Sequence, residues 1–144
     1  MLSTAQIRAR EARFADADLM RRAGKAAASF LLTRTTRDAR IVLFAGPGNN
    51  GGDSLACAAE LAAAGYRPEI VMLGTPETLP VDAQAAWLRI LELPSGSFTI
   101  QHAVPTEAIS ADWIVDGLFG IGLKRPLDGA FSDAVRVIAD ARNA

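Results

Sequence analysis

Apolar residues return every three or four positions along the first part of the chain. Ser3 can cap a first helix carrying Ile7, Glu11 and Phe14, and a second helix runs from about Ala15, with Leu19, Ala23, Ala27, Phe30 and Leu31 on one face. Beyond Arg40 the period changes. Ile41 to Ala45 is an uninterrupted apolar run that predicts a buried strand, and Asp53 to Ala64 predicts a helix stopped by Gly65 as its C′ residue. Glu69 to Leu73 predicts the next strand, and Val81 to Leu91 a helix after Pro80. Phe98 to Gln101 is a weaker strand, Asp112 to Asp116 a stronger one, and Phe131 to Arg142 a last helix. Strands alternating with helices imply right-handed crossovers and a parallel sheet covered on both faces. The predicted fold is therefore α/β: a Rossmann-like three-layer α/β/α sandwich with a mostly parallel sheet, preceded by two N-terminal helices.

At 144 residues, half of them hydrophobic, the chain has enough apolar surface for one core, and residues 1–144 read as a single domain without repeats, low-complexity segments or a long linker. The net charge of −1 gives no overall attraction to nucleic acid or membrane. Residues 1–40 hold nine Lys/Arg against four Asp/Glu, which reads mainly as solvated helix faces, with Asp18 placed to pair with Arg22 one turn on. Cys57 stands alone, so an intramolecular disulfide is excluded, and it reads as a small apolar residue on a buried helix face. The longest apolar stretch, Ser54 to Ala64, is broken by Glu60 and is too short to span a bilayer. Met1 to Arg13 lacks the apolar core of a signal peptide, and a cytoplasmic location is expected.

In a parallel sheet of this kind, ligands bind outside the carboxyl ends of the strands, near a reversal of strand order. Two distinctive loops fall there. The first, Gly46-Pro47-Gly48-Asn49-Asn50-Gly51-Gly52-Asp53, follows the Ile41 strand; the second, Gly117-Leu118-Phe119-Gly120-Ile121-Gly122-Leu123-Lys124-Arg125-Pro126, follows the strand ending in Asp116. The first has neither a P-loop Lys-Ser/Thr pair nor the dinucleotide G-x-G-x-x-G spacing, which disfavours a P-loop kinase or an ordinary NAD-dependent dehydrogenase. Its glycines suit positive φ or close approach of a ligand to backbone, and Ala in a left-handed conformation would cost about 1–2 kcal/mol. Asn49 and Asn50 tolerate the same region. Asp53 is either a helix N-cap or a ligand-binding group. Asp116 either accepts backbone N–H groups from its own loop or binds a cation or a substrate hydroxyl. Lys124 and Arg125 offer positive charge to a phosphate. His102 has no recognisable Ser or Cys partner and reads as a surface residue, while Trp87 and Trp113 read as core or partly buried aromatics. Zinc-ligand spacing is missing.

Together, the Gly46–Asp53 and Asp116–Pro126 segments resemble the two signatures of the NAD(P)H-hydrate epimerase family, the YjeF N-terminal domain, and Met20-Arg21-Arg22-Ala23-Gly24 resembles its M-x-x-A-G element. The resemblance implies a cofactor-repair isomerase that interconverts the R and S forms of NADH and NADPH hydrated at nicotinamide C6, so that a fused or separate dehydratase can use the S form. By position it implies substrate binding by Asn49, Asn50, Gly51, Gly52 and Asp53 and by Gly120, Ile121, Gly122, Leu123, Lys124, Arg125 and Pro126, with a potassium ion (K+) on Asn50 and Asp116. An amide oxygen and a carboxylate are hard donors suited to that ion. The family continues with a strand and an Asp-x-Pro-Ser-Gly segment beyond the position of Ala144, so the catalytic aspartate is not assigned here and the domain is expected to be incomplete at its C-terminus. Such a chain is expected to keep binding better than turnover, and to dimerise or aggregate through an exposed sheet edge. The alternative is a non-catalytic nucleotide- or RNA-binding scaffold module of the same fold.

Overall fold

A computed structural model describes residues 3–118 and 129–141, the side chains of residues 7–18 excepted. The order of elements is α1 (Thr4–Leu32), β1 (Ile41–Ala45), α2 (Asn49–Ala63), β2 (Glu69–Met72), a 3-10 turn (Pro76–Thr78), α3 (Val81–Leu91), β3 (Thr99–Gln101), β4 (Trp113–Gly117) and α4 (Gly129–Ala141). All strand pairs are parallel, and the sheet order is β3-β2-β1-β4. The chain fills the sheet outward from β1 through β2 to β3, then returns to the other side of β1. Strand order therefore reverses between β1 and β4.

β1 is apolar at every position because both of its faces are covered, as expected of a central parallel strand. Ile41, Leu43 and Ala45 join a core with Ala28 and Leu31 of α1, Leu55 and Leu61 of α2, and Ala86 and Ile90 of α3. Val42 and Phe44 point the other way, into a smaller core with Val71, Ile109 and, from α4, Ala134 and Val137. Helices thus lie on both sides of the sheet. The connection from β3 to β4, residues 102–112, is irregular and covers the second face with Val104, Ile109 and Ala111. Its end is pinned where the Asp112 carboxylate accepts the Arg40 N–H at 2.7 Å and Arg40 Nη1 donates to the Ser110 carbonyl at 2.9 Å.

The two expected N-terminal helices are one. Ser3 caps α1 as predicted, in a reciprocal box: its hydroxyl accepts from the Gln6 N–H, and Gln6 Oε1 accepts from the Ser3 N–H. The helix then continues to Leu32 because Phe14-Ala15-Asp16-Ala17 contains neither glycine nor proline to stop it. Gly65 ends α2 as expected, at φ +91°. Its N–H donates to Ala62 and the Tyr66 N–H to Leu61, both at 3.0 Å, which is the Schellman pattern.

Cys57 is fully buried, and burial pushes its thiol up to about 12, so it is not a nucleophile at neutral pH. Trp87 and Trp113 are partly buried and His102 is exposed, as expected. Among the described residues, no helix is long and apolar enough to cross a membrane.

Gly24 decides how closely α1 can lie on α2. A Cβ there would fall 2.4 Å from Ala56 Cβ and 2.8 Å from the Cys57 nitrogen. Gly→Ala in an open helix position gains about 1 kcal/mol of propensity, whereas forcing packed helices apart costs about 1–3 kcal/mol. Gly24→Ala is therefore expected to lower the denaturant midpoint of unfolding. A higher midpoint would show that propensity, and not the helix contact, governs this position.

Candidate functional site

The first loop is largely helix. α2 begins at Asn49, with Gly48 as N-cap, so Asn49, Asn50, Gly51, Gly52 and Asp53 form its opening turn and the start of the next. The predicted start at Asp53 is thus four residues late, and Asp53 is not an N-cap. The error has a physical source: a Gly-Gly pair argues against helix by propensity, yet tertiary contact demands glycine here. Nor do the motif glycines adopt positive φ, which among the described residues is confined to Gly65, Gly74, Gly96 and Gly129.

What these glycines provide is close approach. A Cβ on Gly51 would lie 1.9 Å from the Gly46 carbonyl oxygen, and one on Gly46 would lie 2.1 Å from the Leu118 carbonyl oxygen. The Gly46 N–H donates to the Gly117 carbonyl at 2.9 Å. A Cβ on Gly117 would in turn meet the Ser54 hydroxyl of α2 at 2.0 Å. The end of β1, the end of β4 and the first turns of α2 are therefore in backbone contact, at the reversal of strand order. The two signature segments converge, as predicted, through Gly46, Gly117 and Leu118.

Gly48 carries no side chain to cap α2, and the first turn holds no acidic residue. The partial positive charge of the helix start is consequently open to an anionic ligand group. Asp116 is exposed at the end of β4, and its Oδ1 accepts the Leu118 N–H at 3.1 Å. The carboxylate thus makes the backbone contact anticipated for it, and this bond fixes its direction relative to the loop that follows. Residues Gly120, Ile121, Gly122, Leu123, Lys124, Arg125 and Pro126 lie outside the described residues.

Beside the start of α2 opens a cleft of about 480 Å³ lined by Leu19, Met20 and Ala23 of α1, Asn49 and Asp53 of α2, and Asp82 of α3. Met20 and Ala23 belong to the M-x-x-A-G element; Gly24 of the same element seats α1 against α2. Gly52 forms the junction below, where a Cβ would meet Met20 Sδ at 2.7 Å and Ala83 Cβ at 2.9 Å. Sequence reasoning missed Asp82 as a cleft residue. Its position in the first turn after Pro80 was the available signal, but that pattern equally describes any acidic helix start.

Among the described residues no three His, Cys, Asp or Glu side chains cluster in a way suited to a transition metal. Asn50 in the first turn of α2 and Asp116 at the end of β4 carry amide and carboxylate oxygens, hard donors of the kind a monovalent cation takes.

With this geometry in hand, relatives become informative. Residues 16–144 match the family described as YjeF-related protein N-terminus. The chain belongs to this family. It is 44% identical over 117 residues to the NAD(P)H-hydrate epimerase of Bordetella pertussis, covering 81% of this chain and 49% of that protein. It is 33% identical over 123 residues to the bifunctional NAD(P)H-hydrate repair enzyme Nnr of Hyperthermus butylicus, covering 83% of this chain and 23% of that enzyme. The crystal structure of yeast ynu0 superposes with a TM-score of 0.65 at 26% identity, covering 88% of this chain and 56% of that one. The α/β fold inferred from sequence is thus the fold of the family. The chain spans about half the length of the Bordetella relative.

Asp53 is half-buried, and burial raises its carboxyl above the usual value of 3.8. Its contribution to stability is full below the ordinary carboxyl pKa and is lost as pH rises through the folded value. Asp53→Asn removes that loss, so its melting temperature is expected to equal or exceed that of the parent chain at neutral pH and to converge with it near pH 3. A neutral-pH melting temperature below the parent's would contradict the desolvation reading.

Proposed function

We propose that this chain supplies the substrate-binding part of an NAD(P)H-hydrate epimerase, interconverting the R and S forms of NADH and NADPH hydrated at nicotinamide C6. The observation that carries the reading is the cleft at the start of α2, walled by Asn49 and Asp53 of one signature and by Met20 and Ala23 of the M-x-x-A-G element. Relatives named for the same activity support it.

The uncapped first turn of α2 presents backbone N–H groups to the pyrophosphate, joined by Lys124 and Arg125. Asn49, Asn50 and Asp53 add side-chain acceptors and donors on one helix turn, with Gly51 and Gly52 leaving the backbone accessible. By the family resemblance, Gly120, Ile121, Gly122, Leu123 and Pro126 contribute further substrate contacts. Asn50 and Asp116 would hold a potassium ion, which would supply positive charge to the site. Asp116 is held ready by the Leu118 N–H.

Epimerisation at C6 breaks and remakes a bond at a carbon that carries both nitrogen and hydroxyl. No net oxidation occurs, so the site must position the ring and manage one proton rather than accept electrons. The protein works in the same reaction sequence as a dehydratase for the S form, fused or separate; the bifunctional relative is consistent with fusion. A cytoplasmic site of action and a homodimer complete the reading.

The test adds the chain to R-hydrated NADH together with a dehydratase specific for S, and follows formation of NADH. A potassium-dependent acceleration is expected, reduced about tenfold or more by Asp116→Ala. Conversion no faster than spontaneous epimerisation would reject turnover by this chain and favour the non-catalytic binding module.

A further inference from the structure

Asp82 lies outside both signature segments, yet it walls the same cleft as Asn49 and Asp53. It enters from a third helix, in the first turn of α3, and is half-buried there. Neither the Asp53 nor the Asp82 carboxylate has a hydrogen bond or ion pair among the described residues. Arg21 and Arg89 border a separate cavity of about 40 Å³ on which Asp82 also opens, but neither is paired with it; Arg89 is held by Glu60 at 3.1 Å. Among the described residues, the cleft therefore offers an apolar wall of Leu19, Met20 and Ala23, one amide and two unpaired carboxylates, with no Lys, Arg or His in its lining.

Such a lining suits an uncharged, partly apolar group rich in hydroxyl and amide N–H donors, and it repels phosphate. A hydrated nicotinamide dinucleotide has two ends. The NADH and NADPH forms differ by one phosphate, on the adenosine ribose, and the relatives are named for both. A compartment that would repel that phosphate fits the end the two forms share. The nicotinamide riboside end supplies the matching donors: the carboxamide NH2, the C6 hydroxyl and the ribose hydroxyls, with a ring face for the apolar wall.

Building on the epimerase reading, we infer that the cleft takes the nicotinamide riboside end of the substrate and that Asp82 is a specificity-determining residue that accepts its hydroxyl or amide protons. The pyrophosphate then lies outside the cleft, toward the first turn of α2, and the adenosine end beyond it.

The experiment compares hydrated NADH, hydrated NADPH and the hydrate of reduced nicotinamide mononucleotide, which lacks adenosine, as substrates of the protein and of Asp82→Asn, Asp82→Ser and Asp82→Glu. The expected result is a rise in KM of about tenfold in the Asn and Ser variants, equal for all three substrates, with kcat changed less than about twofold and partial recovery in the Glu variant. Ser is a good residue for a helix start, so it tests the lost charge without weakening α3. A gain confined to hydrated NADPH would place the adenosine ribose at Asp82 and overturn the inference; unchanged KM values would overturn it too. Fluorescence titration with NADH itself separates the inference from the reading beneath it. If no hydrate is epimerised but NADH binds and binding weakens about tenfold in Asp82→Asn, the epimerase reading falls and the binding assignment stands. NADH binding that is absent, or indifferent to Asp82, rejects the assignment.

Discussion

Backbone contact among three segments organises this molecule. Gly46 at the end of β1 sits between the Gly117–Leu118 backbone at the end of β4 and Gly51 in the first turn of α2, with room for no Cβ on any of the three glycines. Side chains there would force the helix start away from the strand ends. The interior of a packed protein does not absorb displacements of that size without cost. Because β1 and β4 flank the reversal of strand order, the contact brings the positive end of a helix to the crevice where a parallel sheet binds ligands.

The same economy of side chains extends outward. Gly24 lets α1 lie against α2, and Gly52 leaves space that the Met20 thioether and Ala83 fill, so three helices meet beside the start of α2. The cleft lies at this meeting point. Its polar groups come from α2 and α3 and its apolar wall from α1, so its shape depends on the glycine contacts beneath it. Asp53 is held there against the desolvation of its own carboxylate, which raises its pKa above the usual value.

Much of this is legible in the sequence. The apolar run of β1, the limits of α3 and the Gly65 stop of α2 follow from local chemistry, and the structure places them as read. The start of α2 was misread because Gly51 and Gly52 carry a message about contacts distant in sequence, which propensity reads as its opposite. α1 was divided because periodicity can lapse without a breaker while the helix continues. The convergence of two loops could be inferred from strand-order rules, but Asp82 could not: nothing in Pro80-Val81-Asp82 distinguishes a helix start that faces a ligand from one that faces water.

The central claim is that the signature glycines serve close approach rather than backbone conformation, and equilibrium unfolding of Gly51→Ala beside Gly48→Ser tests it most directly. Gly51 has the Gly46 carbonyl in the path of any Cβ, whereas Gly48 has open space and a φ of −105° that any residue accepts. Gly51→Ala is predicted to destabilise the fold by about 2 kcal/mol or more, despite the better helix propensity of Ala, while Gly48→Ser leaves stability unchanged within about 0.5 kcal/mol or raises it through a new cap. Equal stability of Gly51→Ala and the parent chain would contradict the account.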